Sequence, residues 1–210
     1  DFENDVVENQ KTKISSGIFS GGDPNLTTFF TSSTQQATGS FLSIYHQDPQ
    51  VSPTTAEVQF DIGYAHIAGS GSAGNVTKLT RGGRESAAMY KQFAQVVLPP
   101  LVEEFTMTGA PSGSDSFFFL SFLRSRMREK IDPGNWELRL GNMRLIDDSG
   151  ATNNPIVNAG GRVFNVVSGS IASGTTVTKT TAANEPHGGL GLFYPDLGII
   201  ILDADQIKNT

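Results

Sequence analysis

The sequence contains no cysteine, which excludes a disulfide framework, a cysteine-based zinc site and a thiol nucleophile. Charged residues are also sparse at 17%, whereas glycine occurs 23 times. This balance is typical of a turn-rich β protein and argues against a helical bundle. No apolar run approaches the roughly 20 residues that span a bilayer. Residues 1–13 also lack the apolar core of a signal peptide. We therefore expect no membrane span.

The length and charge of the chain limit its partners. Its 210 residues are enough for one large β-rich domain or two small ones. A formal net charge of −6 and a pI near 5.0 argue against a protein that coats nucleic acid or an anionic membrane surface. We therefore expect the partners to be other proteins rather than nucleic acids or small molecules.

The character of the chain changes near residue 40. Residues 1–40 are polar and rich in Ser, Thr and Gly, which predicts an extended N-terminal arm that needs a partner surface to become ordered. Residues 41–210 are predicted to form a mainly β (β-dominated α+β) domain, an antiparallel sandwich or a barrel-like fold. One main helix is predicted near residues 84–98. Pro99 and Pro100 end it, because proline lacks the amide hydrogen that a helix requires.

Apolar patterns predict the strands. Apolar residues alternate with polar ones over residues 58–64, as in a strand with one buried face. Residues 117–123 form a continuous apolar run, which is expected at the centre of a sheet. Two hairpins are predicted, with turns at residues 141–142 and 195–198. Further short strands are predicted within residues 163–180.

Two patterns suggest ligand binding but lack the context that binding requires. Gly69, Gly71 and Gly74 form a G-x-G-x-x-G pattern after a predicted strand. The helix that would receive a pyrophosphate begins about ten residues too late, so we interpret the pattern as a surface loop. His46, His66 and His187 are the three histidines of the chain, and none belongs to a known metal-binding spacing. A structural metal held between neighbouring strands stays open.

Acidic pairs occur at residues 103–104 and 147–148 and could suggest acid–base catalysis. Glycosidases need two carboxyl groups that face each other across a cleft, which neighbours in sequence rarely do. Both pairs are therefore predicted to be solvated loop edges. No G-x-S-x-G nucleophile motif is present. We expect no enzymatic activity and assign no catalytic, cofactor-binding or metal-binding residue.

The most unusual charge feature is a basic stretch on this acidic chain. Six of the fifteen Lys and Arg residues fall within 21 positions. They are Arg124, Arg126, Arg128, Lys130, Arg139 and Arg144. We predict a subunit interface in which this stretch pairs with an acidic neighbour. Contact with phosphates is a second interpretation, and a solvated face that is partly neutralised within the chain is a third.

Three stretches, touching about a fifth of the chain, carry a resemblance to a known family. They are FDIGYAHIAGSGS at residues 60–72, FLSFLRSRMREKIDPGNW at residues 119–136 and GLGLFYPDLGIIIL at residues 189–202. They resemble segments of virion structural proteins of contractile-tailed bacteriophages, notably those that infect marine cyanobacteria. The middle stretch is the most specific of the three. The resemblance implies a tail, baseplate or fibre component that is present in several copies, and it transfers no catalytic residue.

Together these observations predict a phage structural protein that acts through repeated protein–protein contacts. Its partners would be copies of itself and other phage structural proteins, with no cofactor. Its location would be the virion, assembled in the cytoplasm of the host bacterium. Two alternatives stay open. The first is a receptor- or glycan-binding module of a tail fibre, and the second is a tail-associated hydrolase.

Overall fold

A computed structural model describes ten segments of the chain. These segments are residues 30–31, 41–45, 51, 54–69, 85–107, 112–127, 129–140, 142–150, 156–171 and 189–208. The predicted arm lies outside them apart from residues 30–31, and so do most of the glycine-rich loop and the strand predicted at residues 175–180. The division into an arm and a domain therefore stays a prediction.

The described residues form a mainly β fold built on one antiparallel sheet of ten strands. The strands are β1 (Phe30–Thr31), β2 (Phe41–Tyr45), β3 (Val58–His66), β4 (Ser116–Phe122), β5 (Leu138–Leu140), β6 (Met143–Asp147), β7 (Ile156–Asn158), β8 (Gly161–Ser168), β9 (Gly191–Tyr194) and β10 (Ile199–Asp203). Their order is β1-β2-β3-β4-β10-β9-β8-β6-β5, and β7 pairs with β8 beside this path. The sheet curls into a half-barrel, which confirms the mainly β, barrel-like prediction.

The main helix, α1 (Glu85–Val97), confirms the helix predicted near residues 84–98. Its buried residues follow helical spacing, and Tyr90, Ala94 and Val97 all face the sheet. Burial raises the pKa of Tyr90 to about 12, so its hydroxyl group stays protonated. This hydroxyl donates a hydrogen bond to the Ser114 carbonyl (2.6 Å) and accepts one from the Phe105 amide (3.2 Å). These bonds hold the helix against the chain that leads into β4.

The central strands are buried on both faces. Along β4, Phe117 and Phe119 pack on the side of α1, in what we call the helix-side core. Phe118 and Leu120 point the other way, into what we call the opposite core. The opposite core is covered by the segment that follows β4, which contributes Met127, Ile131 and Trp136. Burial on both faces explains why this strand is a continuous apolar run.

Both predicted hairpins are confirmed. The first joins β5 to β6, with Leu140 paired to Met143. The second joins β9 to β10, with Tyr194 paired to Ile199. The residues that follow β4 form a 3-10 turn, Arg124–Arg126. A second short helix, α2 (Ala204–Lys208), follows β10, and Asp203 begins it by accepting hydrogen bonds from the amides of Asp205 and Gln206.

Candidate functional site

The candidate site is the predicted basic stretch, and the fold divides it into two groups. Arg124, Arg126 and Lys130 follow β4, and Arg124 and Lys130 lie near the β9–β10 turn. Arg139 and Arg144 belong to the β5–β6 hairpin. The position of Arg128 lies outside the described residues. Whether these side chains contact another subunit stays a prediction.

The first group is bonded within the chain. The Arg124 side chain is exposed, and its Nη1 donates a hydrogen bond to the backbone oxygen of Asp196 (2.9 Å). Arg126 forms an ion pair with Glu57, which lies just before β3. Only 14% of the Arg126 side chain is exposed, so this pair is better shielded from solvent than a typical surface pair. The two arginines therefore hold the 3-10 turn against the β9–β10 turn and against the segment before β3.

Asp196 lies beside Arg124 and Lys130 of this group and was not predicted from the sequence. Its Oδ1 accepts a hydrogen bond from Arg162 Nη2 (3.2 Å). Although burial opposes the charge of the carboxylate, hydrogen bonds from Arg162 and the positive charges of Arg162 and Lys130 lower the pKa of Asp196. Arg162 is 34 residues away in sequence. No local pattern could have identified the pair.

The second group consists of Arg139 and Arg144, which are direct cross-strand partners in the hairpin. Their side chains are 65% and 48% exposed. Like charges directly opposite each other are unfavourable unless a counter-charge lies nearby. Glu137 supplies that counter-charge, because its Oε1 lies 2.6 Å from Arg139 Nε and 3.9 Å from Arg144 Nη1. Among the described residues, one carboxylate thus pairs with two arginines, so these three side chains carry one excess positive charge.

Glu137 also anchors the hairpin to the chain that follows β8. Its Oε2 accepts hydrogen bonds from the Ser170 hydroxyl (2.9 Å) and the Ile171 amide (3.1 Å). Burial opposes the charge of this carboxylate, but the bonds from Arg139, Ser170 and Ile171 outweigh it and lower the pKa of Glu137. The arginine pair is therefore oriented by a partly buried acid that itself accepts hydrogen bonds from Arg139, Ser170 and Ile171.

The prediction for the two acidic pairs is half right. Glu103 and Glu104 are exposed, as predicted. Asp147 and Asp148 are buried, so the prediction that they form a solvated loop edge is wrong. Asp148 accepts hydrogen bonds from the amide and the side chain of Asn165 on β8, at 2.9 and 2.7 Å. These hydrogen bonds offset the cost of burying the Asp148 carboxylate. Asn165 is 17 positions away in sequence, so the Asp-Asp-Ser-Gly pattern does not reveal it.

Asp147 has a comparable structural role. Its carboxylate accepts hydrogen bonds from the amides of Gly134 (2.8 Å) and Ser149 (3.0 Å). It therefore connects the end of β6 to the loop that precedes β5. Both carboxylates of the pair accept hydrogen bonds from backbone amides. They do not face each other across a cleft as an acid–base pair would.

A comparison of the chain with known protein families, curated proteins and solved structures finds no match. Within the described segments, no cluster of three or more His, Asp or Glu side chains could hold a metal ion. His46 and His187 lie outside those segments, and His66 Nδ1 accepts a hydrogen bond from the Ala68 amide (3.0 Å). No helix in the described part of the chain is long and apolar enough to cross a membrane.

The lowered pKa of Glu137 predicts a pH-dependent contribution to stability. A carboxylate whose pKa is lower in the folded state stabilises the fold above its unfolded pKa of about 4.3. That contribution is lost as the pH falls through the folded pKa. We expect Glu137→Gln to reduce the free energy of unfolding by about 1–2 kcal/mol at pH 7, and by progressively less below pH ~4.

Urea unfolding of both proteins at several pH values measures this difference. Glu103→Gln is the matched control, because Glu103 is exposed and its replacement should leave the free energy of unfolding unchanged at every pH. A destabilisation by Glu137→Gln that stayed constant from pH 7 to pH 3 would show that the charge of Glu137 is not what stabilises the hairpin.

Proposed function

We propose that this chain is a virion structural protein of a contractile-tailed bacteriophage, a tail or baseplate component that acts through repeated contacts with copies of itself and with other structural proteins. The proposal includes a location in the virion and a role without catalysis. The observation that carries it is the resemblance of residues 60–72, 119–136 and 189–202 to segments of such proteins. These stretches are far apart in sequence.

The fold supports this proposal by the position of those three stretches. They contain most of β3, most of β4, and β9 with nearly all of β10. In the sheet these strands are consecutive neighbours, in the order β3-β4-β10-β9. The resemblance therefore falls on one continuous structural unit of the sheet.

Exposed apolar side chains also support a role in protein contacts. Ile156 and Val157 on β7 are 63% and 71% exposed, and Leu101 is fully exposed in the loop after α1. Leu101 also has a positive φ of 73°, which is unfavourable for a residue with a side chain. Apolar groups at the surface are typical of positions that a partner covers, especially where polar residues surround them.

The described surface favours protein contacts over glycan binding. Glycan-binding sites commonly use exposed aromatic rings. Among the residues whose burial the structure describes, which leave out Phe30 and Phe41, no Phe, Tyr or Trp side chain is exposed, and the large exposed apolar side chains are all Val, Leu or Ile. The aromatic rings instead pack against one another inside the two cores.

The proposal predicts that residues 1–29 are needed for assembly and not for folding. The truncation stops before Phe30 because β1 pairs with β2, through Phe30 with Tyr45 and Thr31 with Ile44. We expect the truncated chain to keep the circular dichroism spectrum and cooperative unfolding of a β protein. Its copy number in phage particles should fall at least about tenfold, which corresponds to a loss of roughly 1.4 kcal/mol of contact energy.

The measurement compares particles assembled with the full chain and with the truncated chain, by quantitative immunoblotting and electron microscopy. The full chain carrying Gly150→Ala is the control, since nothing lies within 4 Å of an added Cβ there. Normal incorporation of the truncated chain would contradict the role of the arm. Absence of the full chain from purified particles would contradict the proposed function itself.

A further inference from the structure

Two exposed parts of this fold hold like charges directly opposite each other, and the two parts differ in sign. The basic one is the β5–β6 hairpin, where Arg139 and Arg144 are cross-strand partners and are 65% and 48% exposed. Glu137 balances one of these two charges. The hairpin arginines therefore keep one positive charge that no described carboxylate balances.

The acidic part is the segment that joins α1 to β4. An antiparallel bridge connects Phe105 with Ser114, so the next position along each chain, Glu104 and Asp115, lie opposite each other. Burial is the main cause of the raised pKa of Tyr90, and the negative charges of Glu104 and Asp115 raise it further. Both carboxylates therefore lie near the same hydroxyl group, as the bridge requires.

We call Glu103, Glu104 and Asp115 the acidic loop. All three side chains are exposed, and none of the ion pairs between described residues includes them. Like charges directly opposite each other destabilise an antiparallel pair. The acidic loop is therefore a surface that a positively charged partner would stabilise.

Exposed apolar side chains lie beside both charged surfaces. Leu101 is fully exposed and Val102 is 46% exposed, and they directly precede the acidic loop in the chain. Ile171 is 42% exposed, and its amide donates a hydrogen bond to Glu137 (3.1 Å), which places it beside the hairpin arginines. A contact between the two surfaces would thus combine opposite charges with burial of apolar groups from both sides.

We propose that the acidic loop of one copy binds the Arg139–Arg144 pair of a second copy. The proposal rests on the proposed function, because it specifies which surfaces the repeated copies use. Charge complementarity selects a second copy as the partner, since this chain itself carries both halves of the contact. Hydrogen bonds between arginine and carboxylate would fix the orientation, and the opposite charges would speed the encounter.

The two surfaces do not meet within one copy. Asp115 directly precedes β4, whereas Arg144 belongs to β6, and four strand spacings separate these strands, or about 19 Å along the sheet. The arginines instead contact Glu137 and Ser170. A contact between the acidic loop and the arginine pair therefore joins different copies.

The first test is self-association of the full chain, measured by sedimentation over a range of protein concentrations. We expect Arg139→Glu with Arg144→Glu to weaken association at least about tenfold. Arg124→Glu is the matched control, because Arg124 is also basic and exposed but lies outside both surfaces, and it should change association little. High salt should weaken association of the wild-type chain.

The second test changes the other surface. The full chain carrying Glu103→Lys, Glu104→Lys and Asp115→Lys should also associate at least about tenfold more weakly, whereas Glu129→Lys, at an exposed acid outside both surfaces, should change association little. An equimolar mixture of the acidic-loop variant and the arginine variant should regain association. The mixture again provides a native acidic loop on one copy and a native arginine pair on another.

Circular dichroism establishes that each variant is folded. If a charge reversal prevents folding, replacement of the same residues by Gln or Asn removes the charges without reversing them, and the same weakening and the same recovery in the mixture are expected.

Three results contradict this inference. They are a wild-type chain that stays monomeric at every concentration, folded variants that associate as strongly as the wild type, and a mixture that does not regain association. Each leaves the proposed function standing if the full chain is found in phage particles. Absence of the chain from particles contradicts the proposed function whatever the sedimentation shows, so the two failures are distinguishable.

Discussion

Replacing Gly191 with alanine is expected to lower the free energy of unfolding by at least about 3 kcal/mol. Gly191 is the first residue of β9, where it pairs with Leu202 of β10. An added Cβ would lie 2.1 Å from the backbone oxygen of Ile201 and 3.1 Å from the Leu202 Cα. These are backbone atoms of a strand that also pairs with β4, so they cannot move aside as a flexible side chain would.

Urea unfolding of Gly191→Ala and of Gly150→Ala measures this effect against a matched control. Both changes add one methyl group, but at Gly150 that group meets nothing within 4 Å. Gly150→Ala should therefore change the free energy of unfolding by no more than about 0.5 kcal/mol. If Gly191→Ala were as stable as the control, β9 and β10 could not approach as closely as the structure shows.

Replacing Phe193 with alanine is expected to lower the free energy of unfolding by about 3–5 kcal/mol. The side chain is fully buried in the opposite core, with its ring centroid 5.2 Å from that of Trp136 and 6.4 Å from that of Phe164. Removal of the ring takes away aromatic contacts on both sides and leaves a cavity that the curled sheet cannot close.

Thermal and urea unfolding measure this loss, and two further variants control it. Phe193→Leu keeps most of the volume and should destabilise less, which matters if Phe193→Ala does not fold at all. Val157→Ala removes apolar atoms from a side chain that is 71% exposed, so its effect should stay within about 0.5 kcal/mol. Equal losses for Phe193→Ala and Val157→Ala would contradict the burial of Phe193.

Elements whose signal is local could be predicted from the sequence. The spacing of Tyr90, Ala94 and Val97 sets the buried face of α1, and Pro99 and Pro100 mark its end. The β9–β10 hairpin follows from its turn residues, with Gly198 at a positive φ of 67°. These features depend on neighbours within a few positions, so periodicity and turn chemistry identify them.

The strand order could not be predicted, because it depends on contacts between distant residues. β4 pairs with β10 through partners such as Phe119 and Ile201, which are more than 80 positions apart. Both strands are continuous apolar runs, and such runs show that a strand is buried without showing which strand lies beside it. Pairing is decided by the fit of the whole core, and apolar runs of this kind fit many neighbours.

The same reason limits prediction of the site. A basic stretch was visible in the sequence, but the partners of its members were not, since Glu57 is 69 positions from Arg126. Glu137 is the exception. It lies two positions before Arg139 on an extended segment, so the period of two already places both side chains on one face. The burial of Asp148 depends on Asn165, which no pattern near residue 148 reveals.

The different ends of the sheet bear on the symmetry of any assembly. A contact that joins the same edge of two copies is isologous, so a two-fold axis relates the copies and growth stops at a dimer. A contact between the β1 edge of one copy and the β5 edge of the next is heterologous, so every step repeats one rotation. Because β1 and β5 lie at opposite ends of the described sheet, a contact of this second kind leaves one edge of each copy open to a further copy. The rotation per copy then decides between a closed ring and an open helix.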